Sequence, residues 1–379
     1  MTKNYTFFIL KLFTVSFLFS SCSDDDSYEE IPTSPVIVDL SQVPYSKLSD
    51  YHFFEGDLKN QTPSLDVIPY EPASALFTDY AHKKRFIWMP PNKKGTYNGD
   101  SNILELPVGA ALIKTFYYEN VQNISPIGSS RIIETRIMIR KESGWIFANY
   151  VWNEAQTEAF LDLNGSDTHI EWKDENNATK TVDYRIPNEV QCITCHKKTE
   201  TINNSPITSY IPIGIKPQNL NFEYSYGNEN KNQLSKWMEI GYLENFTLPS
   251  QEHTTVNYND TSKSLELRAR SYVDINCAHC HQNERHCDYR PMRFAFYESG
   301  AINDGLTNMG VCVNTSDMQD FPSELNKIVT PQDISQSMLF YRINTTNESF
   351  RMPLHGRTLI HTEGVLLMKD WINSLHDCN

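Results

Sequence analysis

The sequence predicts an α+β fold: an antiparallel β-rich half followed by a mostly α-helical one, with the change near residue 186. Two observations carry that expectation. Between residues 50 and 185, apolar residues gather in β-branched and aromatic runs punctuated by proline, which is strand grammar. Beyond residue 186 the runs shorten, and apolar residues recur at the spacing of one helix face. Roughly 340 residues of ordinary globular composition exceed a usual single domain, so more than one domain is expected.

The chain opens with Lys3 and Lys11, the apolar run Leu12–Phe19, and then Ser20-Ser21-Cys22. A basic start, a short apolar run and small residues before a cleavage point predict a signal peptide over 1–21. The run is too short to span a bilayer as a mature helix. Ser-Ser-Cys resembles the lipobox of bacterial lipoproteins, so Cys22 is the expected lipidation site, although Phe19 stands where such boxes prefer Leu. Ordinary cleavage nearby is the alternative. Residues 22–50 then read as an acidic tether, beginning Ser23-Asp24-Asp25-Asp26 and ending in Glu29-Glu30 before a Pro- and Ser-containing linker. Removing 1–21 takes away two lysines and no acids, which moves the formal net charge from −14 to −16. That balance argues against nucleic acid as a partner; it permits steering toward a basic redox partner, with plain solubility as the alternative role of the acidity.

In the β-rich part, 51–185, the expected strands are Lys84–Trp88, Ala110–Tyr118, Arg131–Arg140 and Trp145–Trp152. In the third, Ile133, Thr135, Ile137 and Ile139 alternate with Glu134, Arg136 and Arg140, the pattern of a sheet with one wet face. Asn153–Leu161 reads as a short helix, and Asp174-Glu175-Asn176-Asn177 as a hairpin turn. After residue 186 three amphipathic helices are expected: Asn232–Leu243, Leu265–Ile275 and Gly364–His376.

Chemistry is concentrated in two copies of one pattern, Cys192-Ile-Thr-Cys195-His196 and Cys277-Ala-His-Cys280-His281. With 8 Cys and 11 His in 379 residues, chance supplies only about 0.005 such patterns. Cys-x-x-Cys-His is the attachment site of a c-type haem: both thiols form thioethers and the histidine ligates iron. Two covalent haems c are therefore expected, in a first haem region over 186–260 and a second over 261–379. The competing reading, one zinc site made of both Cys-x-x-Cys pairs, has no use for the histidines and needs a long intervening loop.

Distal ligands follow less directly. For the second haem the expected ligand is Met352 in Arg351-Met352-Pro353-Leu354, between the motif and the last helix, with His355 in reserve. For the first haem Met238, Met89 and His279 stay open, as does a vacant sixth position. Pro212-Ile213-Gly214 is expected to supply a carbonyl that orients His196. The remaining cysteines are Cys287, Cys312 and Cys378, from which a Cys287–Cys312 disulfide is expected in an oxidising compartment.

With these motifs in place, the chain resembles a family of bacterial diheme c-type cytochromes of unassigned role. The matching stretches include Phe77-Thr78-Asp79-Tyr80-Ala81, Leu106-Pro107-Val108-Gly109, Leu112-Ile113-Lys114-Thr115-Phe116, Tyr150-Val151-Trp152-Asn153-Glu154, Pro212-Ile213-Gly214, Asp274-Ile275-Asn276-Cys277 and Met352-Pro353. They span most of 65–375. The resemblance implies a β-rich N-terminal part followed by a cytochrome c-like, mostly helical region carrying two haems. The insertion holding Cys287 and Cys312 departs from the plainer members. The expected function is electron transfer with a redox partner protein in the bacterial envelope, on an outer-membrane lipid anchor, facing the periplasm or the cell surface. The alternatives are a peroxidase-like enzyme with one five-coordinate haem, and a binding module linked to redox state.

Overall fold

Four long antiparallel strands form the centre of the molecule, and the sequence accounts for each of them. In the computed structural model, which describes residues 33–300, 305–376 and 378, β1 (Phe54–Glu55) and β2 (Thr62–Pro63) form a small ribbon. A six-stranded sheet follows in sequential order: β3 (Ile68–Pro69), β4 (His82–Trp88), β5 (Ala111–Tyr118), β6 (Arg131–Lys141), β7 (Gly144–Trp152) and β8 (Ala159–Leu161). The signal peptide and Cys22 lie outside the described residues. Pro35–Asn379 make up one compact unit.

One sheet face packs under the N-terminal segment, where Val43, Leu48, Tyr51 and Phe53 are buried against Phe86, Ala111, Ile113, Ile137 and Tyr150. Residues 35–50 are thus built into the core, although the sequence reads them as the end of a tether. The expected wet face is also covered. At one end the hairpin β9 (Ser166–Lys173) and β10 (Thr179–Ile186) buries Ile170, Trp172 and Tyr184 against Phe116, Tyr118 and Ile133. At the other, the helix Gln233–Glu239 buries Leu234 and Trp237 against Ile87 and Leu112. A bulge between Phe116 and Tyr117 skips Ile133 in the register, which moves it to the face of Glu134. A bulge adds one residue and reverses the alternation beyond it.

Two segments differ from their expected form. Asn153–Leu161 is a turn followed by β8, not a helix; Asn153 Oδ1 accepts from the Thr157 and Glu158 N–H groups, and Ala159–Leu161 pairs with β7. An Asn side chain that caps backbone donors favours a turn over continued helix. More important, the region after 186 is not mostly α-helical. Among the described residues the structure is β-rich, 27% strand against 20% helix, and this half adds two further hairpins. These are β11 (Lys197–Ile202) with β12 (Ser205–Tyr210), and β13 (Glu223–Ser225) with β14 (Asn230–Asn232). The first turns on Asn203-Asn204, both at positive φ, as a two-residue hairpin turn requires.

The longest helices of this half are Leu265–Asn276 and Thr362–Ser374. They pack together through Ala269, Tyr272 and Val273 against Leu367, Met368 and Trp371. A Cβ at Gly364 would stand 2.3 Å from the Tyr272 hydroxyl, so only glycine permits the approach. The helix Gln233–Glu239 stops short of the expected Leu243, ending ahead of Gly241, which has φ +80.

The disulfide joins Cys312 to Cys378, with Cα atoms 5.8 Å apart, and not to Cys287. The C-terminal segment is held beside this region by Gln332, which donates to the carbonyls of Ile372 and Leu375. Cys287 is a buried free thiol whose N–H donates to the Cys280 carbonyl. Iodoacetamide under denaturing, non-reducing conditions is expected to label Cys287 and spare Cys312 and Cys378. Cys312→Ser should cost about 2–4 kcal/mol of stability. Labelling of Cys312 in unreduced protein would disprove the pairing.

Candidate functional site

The first motif sits on a helix, Glu189–His196. Asn188 and Gln191 form a reciprocal capping box: the Asn188 side chain accepts from the Gln191 N–H, and the Gln191 side chain from the Asn188 N–H. That arrangement satisfies two otherwise orphaned donors and fixes where the helix starts. Cys192, Cys195 and His196 are then spaced i, i+3 and i+4, which places all three on one side. They line a cavity of about 1230 Å³ with Leu112, Met138 and Phe147 of the sheet.

The hairpin β11–β12 begins directly after His196 and returns the chain beneath it. His196 Nδ1 donates to the Ile211 carbonyl at 2.7 Å, and the Ile211 N–H donates to the His196 carbonyl. The orienting carbonyl thus comes from the residue just before Pro212-Ile213-Gly214. Burial, only partly opposed by that hydrogen bond, lowers the His196 pKa to about 4. The ring is neutral, with Nδ1 engaged and Nε2 left as the donor atom.

The second motif continues the helix Leu265–Asn276, whose N-cap is Ser264. The turn is closed by Cys280 and His281 N–H groups donating to the Cys277 carbonyl. Cys277, Cys280, His281 and Met352 all line a second cavity, of about 1070 Å³. His281 is buried and its Nδ1 has no partner. Burial, with His279 and the nearby arginines, lowers its pKa to about 3. Burial pushes the Cys192 thiol up to about 11 and Cys277 to about 12.

Met352 is held from several directions. Its N–H donates to the Arg342 carbonyl. The buried Arg357 guanidinium donates to the carbonyls of Met352, Leu359, Arg342 and Thr345. Asp79, from the Phe77–Ala81 segment, accepts from the Thr358 and Leu359 N–H groups at 2.8 Å and from the Thr358 hydroxyl. A β-domain carboxylate thereby clamps the loop that follows Met352.

The two cavities share a wall: Phe77, Cys195, His279, Pro353 and His355 line both. Between them the Cys195 and Cys280 sulfurs and a ring nitrogen of His279 lie within 4.8 Å of one another. Of the residues open as distal ligand to the first site, Met89 and Met238 pack in the core with Leu234 and Trp237 and line neither cavity. His279 lines both. Nothing in the residue pattern marks Met138 and His355 for the first cavity; their positions follow from cross-strand register and from the loop that Arg357 folds.

The donor set fits a covalently attached tetrapyrrole at each motif, since a thiol pair and the adjacent histidine line each opening. The thiols face a largely apolar cavity, and the neutral His196 has its Nε2 to give while Nδ1 is engaged by the Ile211 carbonyl. Comparison with protein-family models, curated proteins and solved structures finds no match. Among the described residues no helix is long and apolar enough to cross a membrane.

His361, beside the second cavity, supplies a pH prediction. It is buried, stacks on Phe77 at 4.2 Å and bonds the Tyr272 hydroxyl, and burial lowers its pKa from 6.5 to about 4 despite Glu363. The unfolded chain therefore binds the proton more readily between these values, so stability is full above about 6.5 and falls as pH drops toward 4. The loss should be about 3 kcal/mol at most. In urea titrations at pH 7 and 4.5, His361→Gln should show a smaller acid loss than the parent. Equal losses would disprove the assignment.

Proposed function

We propose that the chain is a diheme c-type cytochrome that transfers electrons in the bacterial cell envelope. The observation that carries this is the shared wall: two Cys-x-x-Cys-His motifs open into separate cavities that have Phe77, Cys195, His279, Pro353 and His355 in common. Cys192 and Cys195 would hold one haem with His196 as ligand; Cys277 and Cys280 would hold the other, with His281 and Met352. Haem c supplies a one-electron iron couple when bound. The chain's own contribution is to fix the histidine tautomer, exclude water with apolar walls and set the two sites against each other. The leader-like start supports an exported location, and so does the Cys312–Cys378 disulfide, since such bonds persist outside the cytoplasm. The acidic net charge favours a basic redox partner.

A second reading is favoured by one observation. Cys195, His279 and Cys280 converge closely enough to hold a metal ion such as zinc, while Cys192 and Cys277 point the other way by each lining only one cavity. The deciding experiment is a haem count by pyridine haemochrome, with metal analysis, on protein exported from a host that attaches haem c. Two haems per chain and no zinc support the cytochrome. Zinc without haem would overturn it. In the same sample, a purely low-spin oxidised spectrum favours electron transfer, and a high-spin band favours the peroxidase-like alternative.

A further inference from the structure

The sheet face over the first cavity carries an arrangement that the fold alone does not explain. Arg85 pairs in register with Lys114, Lys114 with Arg136, and Arg136 with Asn149, across β4, β5, β6 and β7. All four line the cavity of Cys192 and His196. Like charges directly opposite each other destabilise a sheet, and here three stand in a row on interior strands. Among the described residues only Arg136 is bonded to a counter-ion: Glu134 accepts from its Nε and Nη2 at 3.0 and 2.5 Å, whereas Glu71 acts on Arg85 from beyond ion-pair distance. Asn149 is committed to the Pro187 carbonyl. Arg85 is 7% exposed, and its side chain takes part in no hydrogen bond or ion pair among the described residues. The Lys114 ammonium lies 4.8 Å over the face of Phe116 with Glu134 in electrostatic reach, and burial beside Arg85, Arg136 and Lys83 drives its pKa well down.

We propose that this row is a carboxylate site, and that its occupants are the propionates of the haem attached at Cys192 and Cys195. The inference rests on the cytochrome reading above. Tetrapyrrole chemistry fixes the polarity: the vinyl groups that take thioethers and the two propionates lie at opposite edges of the ring. Arg136 is within electrostatic reach of Cys192. Two strand spacings carry the row about 10 Å from there to Arg85, from the thiol edge of the cavity toward its far side. The unpaired cations, Lys114 and Arg85, are the ones away from the thiols. A buried cation left unpaired is costly, and two carboxylates arriving with the haem would remove that cost.

The test is spectroelectrochemical titration at one pH of exported protein, with haem counted in each sample. Arg85→Gln and Lys114→Gln each remove positive charge near one iron, which favours the ferric form. One of the two midpoint potentials should fall and the other stay. The double variant should change that reduction equilibrium roughly tenfold, about 59 mV for one electron. Arg85→Lys, which keeps the charge, should restore most of the shift. Two haems per chain with unchanged potentials in the Gln variants would overturn the proposal. So would unchanged potentials together with a spectral response to added formate that Arg85→Gln abolishes, because the row would then serve an anion from solution. A parent protein without haem would instead overturn the cytochrome reading, and the haem count separates the two failures.

Discussion

Asp274→Ala is expected to cost about 3–5 kcal/mol of folding stability. Its side chain is 1% exposed and pairs with Lys216 Nζ at 2.9 Å, itself only 10% exposed. The same carboxylate accepts from Gln218 Nε2 and from the Phe296 N–H. Alanine would leave a buried ammonium without its counter-ion and a buried N–H without an acceptor, and both costs fall on the folded state. Asp274→Asn keeps an acceptor and should lose less. Lys216→Met with Asp274→Leu removes both charges and should recover much of the loss, since an apolar pair of similar size often replaces a buried ion pair without penalty. Urea unfolding of the parent, Lys216→Met, Asp274→Leu and their double variant closes the cycle and gives the coupling. A loss below about 1 kcal/mol for Asp274→Ala would disprove it.

This pair also explains how the two motifs are kept in step. Asp274 is on the helix that runs into Cys277, and Lys216 is on the loop that carries the Ile211 carbonyl under His196. A change at Asp274 therefore reaches both histidines without touching either. Asn276 adds a second tie, its Oδ1 accepting from the Phe77 N–H. Phe77 in turn stands in the wall common to both cavities.

The grouping of each motif's residues was legible in the sequence because their spacing alone puts them around one opening. Cys192, Cys195 and His196 could be read as a unit, and so could Cys277, Cys280 and His281. The four long strands were legible for a related reason: β-branched and aromatic runs such as Ala111–Tyr118 or Gly144–Trp152 are a local property. What could not be read depended on register between distant segments. Arg85, Lys114 and Arg136 form a row only because three strands pair at one phase, and the bulge at Ile133 shifts that phase only beyond the row. The helical reading of the second half failed on a signal that was present. Asn203-Asn204 lies between Thr199, Thr201 and Ile202 on one side and Ile207 and Thr208 on the other, which is hairpin grammar. The Cys287–Cys312 pairing failed because nearness in sequence was taken for nearness in space, whereas the last helix brings Cys378 to Cys312.

If the proposed cytochrome reading holds, Met352→Ala is expected to lower one midpoint potential by on the order of 200 mV, a fraction of the ~0.8 V that axial ligands span, and to leave the other in place. A thioether favours ferrous iron relative to nitrogen ligation, so its removal favours the ferric form. The structure gives the prediction its specificity. Met352 lines the second cavity and is absent from the first, and the Arg357 and Asp79 contacts hold its loop whatever side chain stands at 352. His355, in the wall common to both cavities, is the nearest replacement on that loop. If it moves in, Met352→Ala stays low-spin at the lower potential, and Met352→Ala with His355→Ala becomes high-spin. If it does not, the single variant is already high-spin at one of its two haems. Identical potentials in Met352→Ala and the parent would remove Met352 from the ligand set. Arg357→Met offers an independent check, because it keeps the thioether and releases the loop: it should broaden or lower the same wave and no other.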